Sequence, residues 1–275
     1  MDSLTKHMAS AYPAVLVVAM RYLGNLVFLL LAFGPGQGRS LFRIQRKGLV
    51  LVRSLCLSAV SIFATLALQR MPVAETISII FMAPFGTMIL AGPILKEKVS
   101  ALHWVAAAAG FAGVLLIVRP GSGLDPLGVV FALVAASGSI VYNMLSRALA
   151  RTETTLSLMF YAALFGTLAF GAALPFIRPI PMPGALDMGL FTLMGMLALA
   201  GHLMFTQAFR LAPASTLAST NYLQLVWSGI LGWLIFGHMP DAIGLAGMAL
   251  IALGGTMATL WPLITRAPAK LATAT

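Results

Sequence analysis

The chain has 275 residues, of which 60% are hydrophobic and only 9% charged, against about 25% charged in soluble domains, so a water-facing surface over most of the molecule is excluded. Mean hydropathy is +0.98, and lipid is the solvent this composition requires. The formal net charge of +10 would suggest a nucleic-acid partner on a soluble protein, but the placement of the cations assigns it to membrane topology instead.

Met1 to Tyr12 is polar and lacks the apolar core behind a basic end that marks a signal peptide. Apolar runs follow at 13–33, 48–69, 73–95, 100–118, 126–147, 155–177, 186–209, 213–236 and 241–264. A helix needs about 20 apolar residues to cross hydrocarbon roughly 30 Å thick. The runs therefore predict about nine spans and leave no room for a soluble domain. They are too long, and lack the strict alternation, for barrel strands. Gly34-Pro35-Gly36, Arg119-Pro120-Gly121 and the stretch from Pro179 to Gly184 read as breaks between helices. Pro72 and Pro213 stand where a first helical turn begins, a position that tolerates a missing N–H. Cys56 is the one cysteine; it precludes an internal disulfide and reads as a small buried hydrophobe.

Lys and Arg in short loops set orientation. Eleven fall on one side of the runs: Arg39, Arg43, Arg46, Lys47, Lys96, Lys98, Arg147, Arg151, Arg210, Arg266 and Lys270. Three, Arg70, Arg119 and Arg178, fall on the other. The first side is expected to be cytoplasmic, which places a multi-pass protein in the cell's inner membrane with its C-terminus cytoplasmic and its N-terminus outside.

A shift of 141 residues lays Pro72 on Pro213, Ala67 on Ala208, Ile94 on Ile235 and Gly113 on Gly254. The shared layout is an Ala/Pro turn, a long helix, a short break and a Gly-rich helix. The break at Lys96 lies inside and the break at His238 outside, so the repeats are inverted. That arrangement is usual in secondary transporters, with a site between the halves near mid-membrane.

Motifs along the chain carry a resemblance. They include Tyr12-Pro13 with Arg21-Tyr22, the Leu68–Ala74 turn, Lys96-Glu97-Lys98-Val99, and Gly110 to Leu116 ending in Arg119-Pro120-Gly121. The second half adds Leu145 to Thr152, Gly201-His202, Arg210 to Ser215, Asn221-Tyr222-Leu223-Gln224 and Phe236 to Asp241. In order and spacing the chain resembles an EamA-type transporter of the drug/metabolite transporter superfamily. The resemblance implies an all-α integral membrane protein, a polytopic helical bundle of two inverted five-helix repeats. Residues 1–120 would form the first repeat and 121–275 the second. Met1 to Lys6 looks like the end of the family's first helix, so that helix is expected to be largely missing. His238 stands where the first repeat has Glu97, a further departure. Likeness to riboflavin and S-adenosylmethionine carriers is looser.

Polar groups at mid-membrane depth are costly and hence functional candidates, against a competing reading as helix–helix hydrogen bonds. Arg21 lies eight residues past Pro13, about 12 Å deep at 1.5 Å per residue, and suits a cavity that meets a substrate's anionic group. Arg53 lies about one turn from its run's start at Gly48 and is expected to snorkel to the interface. Glu75 is in a first turn, where the helix dipole favours a negative charge; the competing roles are proton coupling and binding of a substrate ammonium. No other carboxylate lies inside a run. His202 is deep in its run and divides between cavity function and packing. Asn221 and Gln224 share a helix face, with Trp227 near it and Tyr222 about 100° round. Tyr142 and Asn143 form a similar pair. The substrate-binding set is therefore Arg21, Tyr142, Asn143, His202, Asn221, Tyr222, Gln224 and Trp227, with Glu75 as coupling candidate.

Catalytic, phosphate-loop and metal-cluster motifs are lacking. No catalytic residue, metal ligand or cofactor is expected. The function expected is gradient- or exchange-driven transport of a small organic metabolite by alternating access, the substrate riboflavin-like, S-adenosylmethionine-like or amino-acid-like. The alternative is a membrane-embedded enzyme or a scaffold without transport. The partners are a small-molecule substrate and the lipid bilayer, with no nucleic acid; a homodimer is compatible.

Overall fold

A computed structural model of the chain describes residues 1–95, 101–119, 123–177, 181–211 and 214–271. The helices are α1 (Asp2–Ala11), α2 (Ala14–Gln37), α3 (Lys47–Arg70), α4 (Val73–Ile80), α5 (Ala83–Leu95) and α6 (Ala101–Val118). They continue as α7 (Pro126–Leu149), α8 (Thr155–Ala173), α9 (Ala185–Leu211), α10 (Ala214–Phe236) and α11 (Ala242–Leu271). Short 3-10 turns follow α2 and α8, and no strand occurs among the described residues. Five stretches, Ala14–Gln37, Lys47–Arg70, Pro126–Leu149, Thr155–Phe176 and Ala185–Ala208, are long and apolar enough to cross a membrane. Shorter apolar stretches occupy Val73–Thr87, Trp104–Val118, Trp227–Phe236 and Ala242–Met257. The all-α polytopic bundle matches the sequence expectation.

Two boundaries differ from it. The α2 helix runs through Gly34-Pro35-Gly36 to Gln37; a proline this near the C-terminal end disturbs only the last turn. The run 73–95 is interrupted, with α4 ending at Ile80 and α5 starting at Ala83. Pro84 is the cause: it has no N–H for the Ile80 carbonyl, and its ring opposes the preceding turn. Near the first turn of a new helix the same residue is tolerated. The Met82 N–H turns instead to the Ile79 carbonyl at 3.1 Å.

Side-chain contacts define the two ends of the bundle. At one end the Tyr12 hydroxyl donates to Asp187 at 2.7 Å, Arg70 pairs with Asp125 at 3.0 Å, and Arg119 pairs with Asp241. Asp125 also caps α7, accepting from Leu127 and Gly128. At the other end the buried Glu153 carboxylate accepts from the Gln45 and Arg46 backbone N–H groups, tying the entry of α3 to the turn before α8.

Between the ends, α3 packs along α7 and α6 along α11. A Cβ on Gly113 would fall 2.6 Å from the Gly247 carbonyl, and one on Gly247 equally close to that of Gly113. On the other side a Cβ on Gly195 would fall 2.8 Å from the Gly24 Cα. Close backbone approach through small residues is how helices associate in lipid, where no hydrophobic force acts between them. Large apolar side chains such as Leu31, Phe111 and Leu253 are left exposed, as suits faces turned to acyl chains.

Candidate functional site

Between the helices lies a cavity of about 500 Å³, within the roughly 300–1,000 Å³ range of small-molecule sites. Arg21 from α2, Tyr142 and Asn143 from α7, His202 from α9, and Gln224 and Trp227 from α10 all line it. The structure thus brings together six of the eight residues singled out for substrate binding. The backbones of Asn221 and Tyr222 belong to α10, but their side chains lie outside the described residues. Phe81 and Pro84 line the cavity at the helix break, so the interruption places irregular backbone against the space. Irregular backbone at membrane depth is tolerated where it borders a cavity.

Asp2, which precedes the first apolar run and is not among the carboxylates weighed there, also lines the cavity. The reason is geometric. The α1 helix is 10 residues long, so Asp2 lies about 15 Å from the helix end at Tyr12. Its Oδ2 accepts from Gln224 Nε2 at 2.7 Å. Arg21 is 9% exposed and within electrostatic reach of Asp2. The two form no direct ion pair among those described.

Arg53 does not snorkel. It is 1% exposed and donates to Ser146 Oγ at 2.8 Å, the Leu158 carbonyl at 3.2 Å and the Tyr142 hydroxyl at 3.0 Å. Its guanidinium also lies over the Tyr142 ring, 4.6 Å from the centroid. Interior acceptors from two neighbouring helices replace the water that snorkelling would seek. Arg53, Tyr142 and His202 border a second, minute cavity of about 10 Å³ together with Asn25 and Thr206. The buried Asn25 Oδ1 and Thr206 Oγ1 have no hydrogen-bond partner among the described residues, and that volume is about the room one water occupies. Leu57, Tyr142 and His202 are shared by both cavities and form the wall between them.

Glu75 is not on the cavity lining. It is in the first turn of α4, as the dipole reading expects, at the bundle end that carries Asp125. Its Oε1 lies 2.8 Å from His238 Nε2. Its other oxygen is buried with no partner among the described residues. Lys6 donates to the Leu68 and Met71 carbonyls beside it, at 2.8 and 2.6 Å. His238, in sequence a departure from the repeat, joins the α10–α11 connection to the start of α4 through its contact with Glu75. No cluster of three His, Cys, Asp or Glu able to hold a metal occurs among the described residues.

Outside the spans, Asp125 and Asp241 have carboxyls held below the usual range. For Asp125 the Gly128 N–H and then Arg70 are the causes. For Asp241 they are the Gly244 N–H and then Arg119.

The EamA-like transporter family model matches twice, over residues 2–119 and 126–260. The chain is 28% identical over 262 residues to the pseudopaline exporter CntI of Pseudomonas aeruginosa, covering 91% of this chain and 88% of the relative. It is 24% identical over 251 residues to an S-adenosylmethionine uptake transporter of Rickettsia prowazekii, covering 91% and 84%. It is 29% identical over 226 residues to a riboflavin transporter of Rhizobium johnstonii, covering 76% and 72%. A protein of known crystal structure superposes with a TM-score of 0.72 at 21% identity, covering 94% of each chain; that likeness concerns the fold.

Proposed function

We propose that this chain, which belongs to the EamA-like transporter family, is a secondary active transporter that carries a small organic metabolite across the inner membrane by alternating access. The observation that carries the reading is the cavity of about 500 Å³ between the helices, where a buried arginine, a carboxylate, amides and aromatics converge on one space. A set of unrelated packing hydrogen bonds would scatter these groups in pairs across the bundle. Exporters and importers stand among the relatives, so direction is a property to be measured.

The halves 1–120 and 121–275 form the two moving repeats in this reading, and the loops rich in Lys and Arg face the cytoplasm. The bundle end with Glu75 and His238 is then external. Arg21, Tyr142, Asn143, His202, Asn221, Tyr222, Gln224 and Trp227 bind substrate, and Glu75 couples transport to an ion. A gradient or exchange supplies the driving force. A riboflavin-like or S-adenosylmethionine-like substrate would be consistent with the relatives' names, and an amino-acid-like one stays the alternative the sequence offers.

The test is uptake of radiolabelled metabolites into proteoliposomes containing the purified protein, with and without an imposed proton gradient. Saturable uptake reduced by Gln224→Ala, at normal membrane insertion, is the expected result. Failure of every gradient and exchange condition would favour the scaffold reading. Gradient-driven uptake that Glu75→Gln leaves intact would remove Glu75 from coupling.

A further inference from the structure

We propose that the bundle end built by residues 38–47 and the α7–α8 turn binds an anionic phospholipid, its phosphate among Arg43, Arg46, Lys47 and Arg151 and an acyl chain along the outer face of α3. The membrane-spanning bundle suffices for this, whatever the central cavity carries.

Residues 38–47 and 147–154 hold six basic residues against one carboxylate, that of Glu153. Clusters of this density beside a membrane span attract anionic headgroups. One carboxylate leaves the sum strongly positive whatever it pairs with, and that of Glu153 is buried and accepts from the Gln45 and Arg46 backbone N–H groups. Arg147 is partly buried on α7, and the side chain of Arg39 lies outside the described residues. Arg43, Arg46, Lys47 and Arg151 are exposed, and among the described residues their side chains take part in no ion pair.

The backbone beneath these cations is fixed. Besides the Glu153 contacts, the Tyr161 hydroxyl donates to the Phe42 carbonyl at 2.9 Å, and the Ser157 hydroxyl to the Ser40 carbonyl at 3.3 Å. Residues 38–47 are thereby tied to the start of α8. Arg151, two residues before Glu153, is held at the same end as Arg43, Arg46 and Lys47. Cations presented on a fixed backbone lose less freedom when an anion joins them.

The apolar neighbourhood selects a lipid over a soluble anion. Lys47, Leu51 and Leu55 recur at i, i+4 and i+8, so they follow one another along one side of α3, and all three are exposed. The buried side of the helix carries Val50, Arg53 and Leu57 instead. At 1.5 Å per residue the stripe from Lys47 to Leu55 runs about 12 Å, most of the roughly 15 Å that one leaflet contributes to the hydrocarbon core. Phe42 adds an exposed ring beside the cations. A soluble phosphate would meet the charges and leave the stripe uncovered. A phospholipid with a choline head would cover the stripe but bring a cation toward four others. An anionic phospholipid answers both.

The experiment titrates the purified full-length protein in neutral detergent with dioleoyl phosphatidylglycerol and follows the unfolding midpoint, which reports binding to the folded state. Dioleoyl phosphatidylcholine and glycerol 3-phosphate are the comparison probes. Phosphatidylglycerol is expected to stabilise at concentrations at least about fivefold lower than phosphatidylcholine, and glycerol 3-phosphate neither to stabilise nor to displace it. Arg46→Gln and Lys47→Gln should each weaken phosphatidylglycerol about fivefold, while Arg70→Gln, at the opposite end, leaves its apparent affinity unchanged. Equal response to the two lipids overturns the site. So does a phosphatidylglycerol response that Arg46→Gln and Lys47→Gln leave intact, or one that Arg70→Gln weakens as much, which would assign it to charge spread over the molecule. Stabilisation by glycerol 3-phosphate matching that by phosphatidylglycerol would make this a soluble-anion site and overturn the lipid. The three probes on the unaltered protein decide the matter even if a variant fails to fold.

Discussion

Arg53 and Tyr142 are joined twice over, by a 3.0 Å hydrogen bond from Nη2 to the phenol oxygen and by the guanidinium's position 4.6 Å above the ring centroid. Arg53 comes from α3 and Tyr142 from α7, helices that pack along each other. The pair therefore fixes the orientation of a ring that forms part of the wall of the central cavity. Tyr142→Phe keeps the ring and removes the acceptor of a buried cation, a loss of about 1–3 kcal/mol. A lowered unfolding midpoint in detergent, with insertion unchanged, is expected. An unshifted midpoint would show that the hydroxyl contributes nothing to Arg53.

Close backbone contact between α6 and α11 depends on Gly113 and Gly247, because a Cβ at either meets the partner's carbonyl oxygen at 2.6 Å. Backbone cannot yield as a flexible side chain can. Gly113→Val should separate the two helices and cost the protein its monodisperse elution in size-exclusion chromatography. Gly171→Ala serves as control, since nothing lies within 4 Å of a Cβ there. Equal behaviour of the two variants would count against tight α6–α11 packing as a requirement.

Much of the fold was legible because the membrane simplifies the code: runs of about twenty apolar residues must be helices. The site was legible in part for the same reason, since polar residues in such runs stand out, as Arg21, Asn143, His202 and Gln224 do. Three features were not. Asp2 precedes the first apolar run, and only the short α1 helix carries it to the cavity. Arg53 has the spacing of a snorkelling residue; its acceptors on α7 and α8 are distant in sequence. The interruption at Phe81 and Met82 hides in an apolar run, although Pro84 was the signal for it.

Asp125 and Asp241 predict a specific acid response. Both carboxyls are held below their ordinary range by backbone N–H groups and an arginine. A lowered folded-state value means protons bind more readily to the unfolded chain. The stabilisation is therefore complete above the ordinary carboxylate pKa of about 3.9 and disappears as pH falls through the depressed folded values. Because Asp241 is solvent-exposed and Asp125 partly so, the effect should be small. Unfolding midpoints should vary little because of these two groups above about pH 5, with a decline below that which is weaker in Asp125→Asn. A variant as acid-sensitive as the parent would exclude this cap and its pair with Arg70 as the source.

Topology can be tested on single cysteines introduced into a Cys56→Ala background. The loop-charge split predicts that a cysteine at Gln37 is labelled from the cytoplasm and one at Met182 from outside. Met182 is 97% exposed, so access does not limit the reaction. The reversed pattern would overturn the orientation and place Glu75 and His238 at the cytoplasmic end.

Alternating access makes a sharper demand on Glu75 and His238. Their 2.8 Å contact joins the start of α4, in the first half of the chain, to the connection before α11, in the second. Arg119 and Asp241 join the halves at the same end. If the cavity opens toward that end during transport, the halves must part there and the Glu75–His238 contact must break in each cycle. The pair would then act as a latch whose closed form is the one described. Replacing both residues by cysteine in the Cys56→Ala background and bridging them with a short bifunctional thiol reagent should hold the latch shut. Exchange of labelled for unlabelled substrate, which does not draw on ion coupling by Glu75, should fall to the level of empty liposomes and recover on adding a reductant that cleaves the bridge, while each single-cysteine variant remains insensitive to the reagent. Substrate binding from the opposite side should persist in the bridged protein, which separates a locked cycle from a damaged site. Undiminished transport with the bridge shown intact by mass spectrometry would mean that the halves do not separate at Glu75 and His238, and that the cavity is reached by another route.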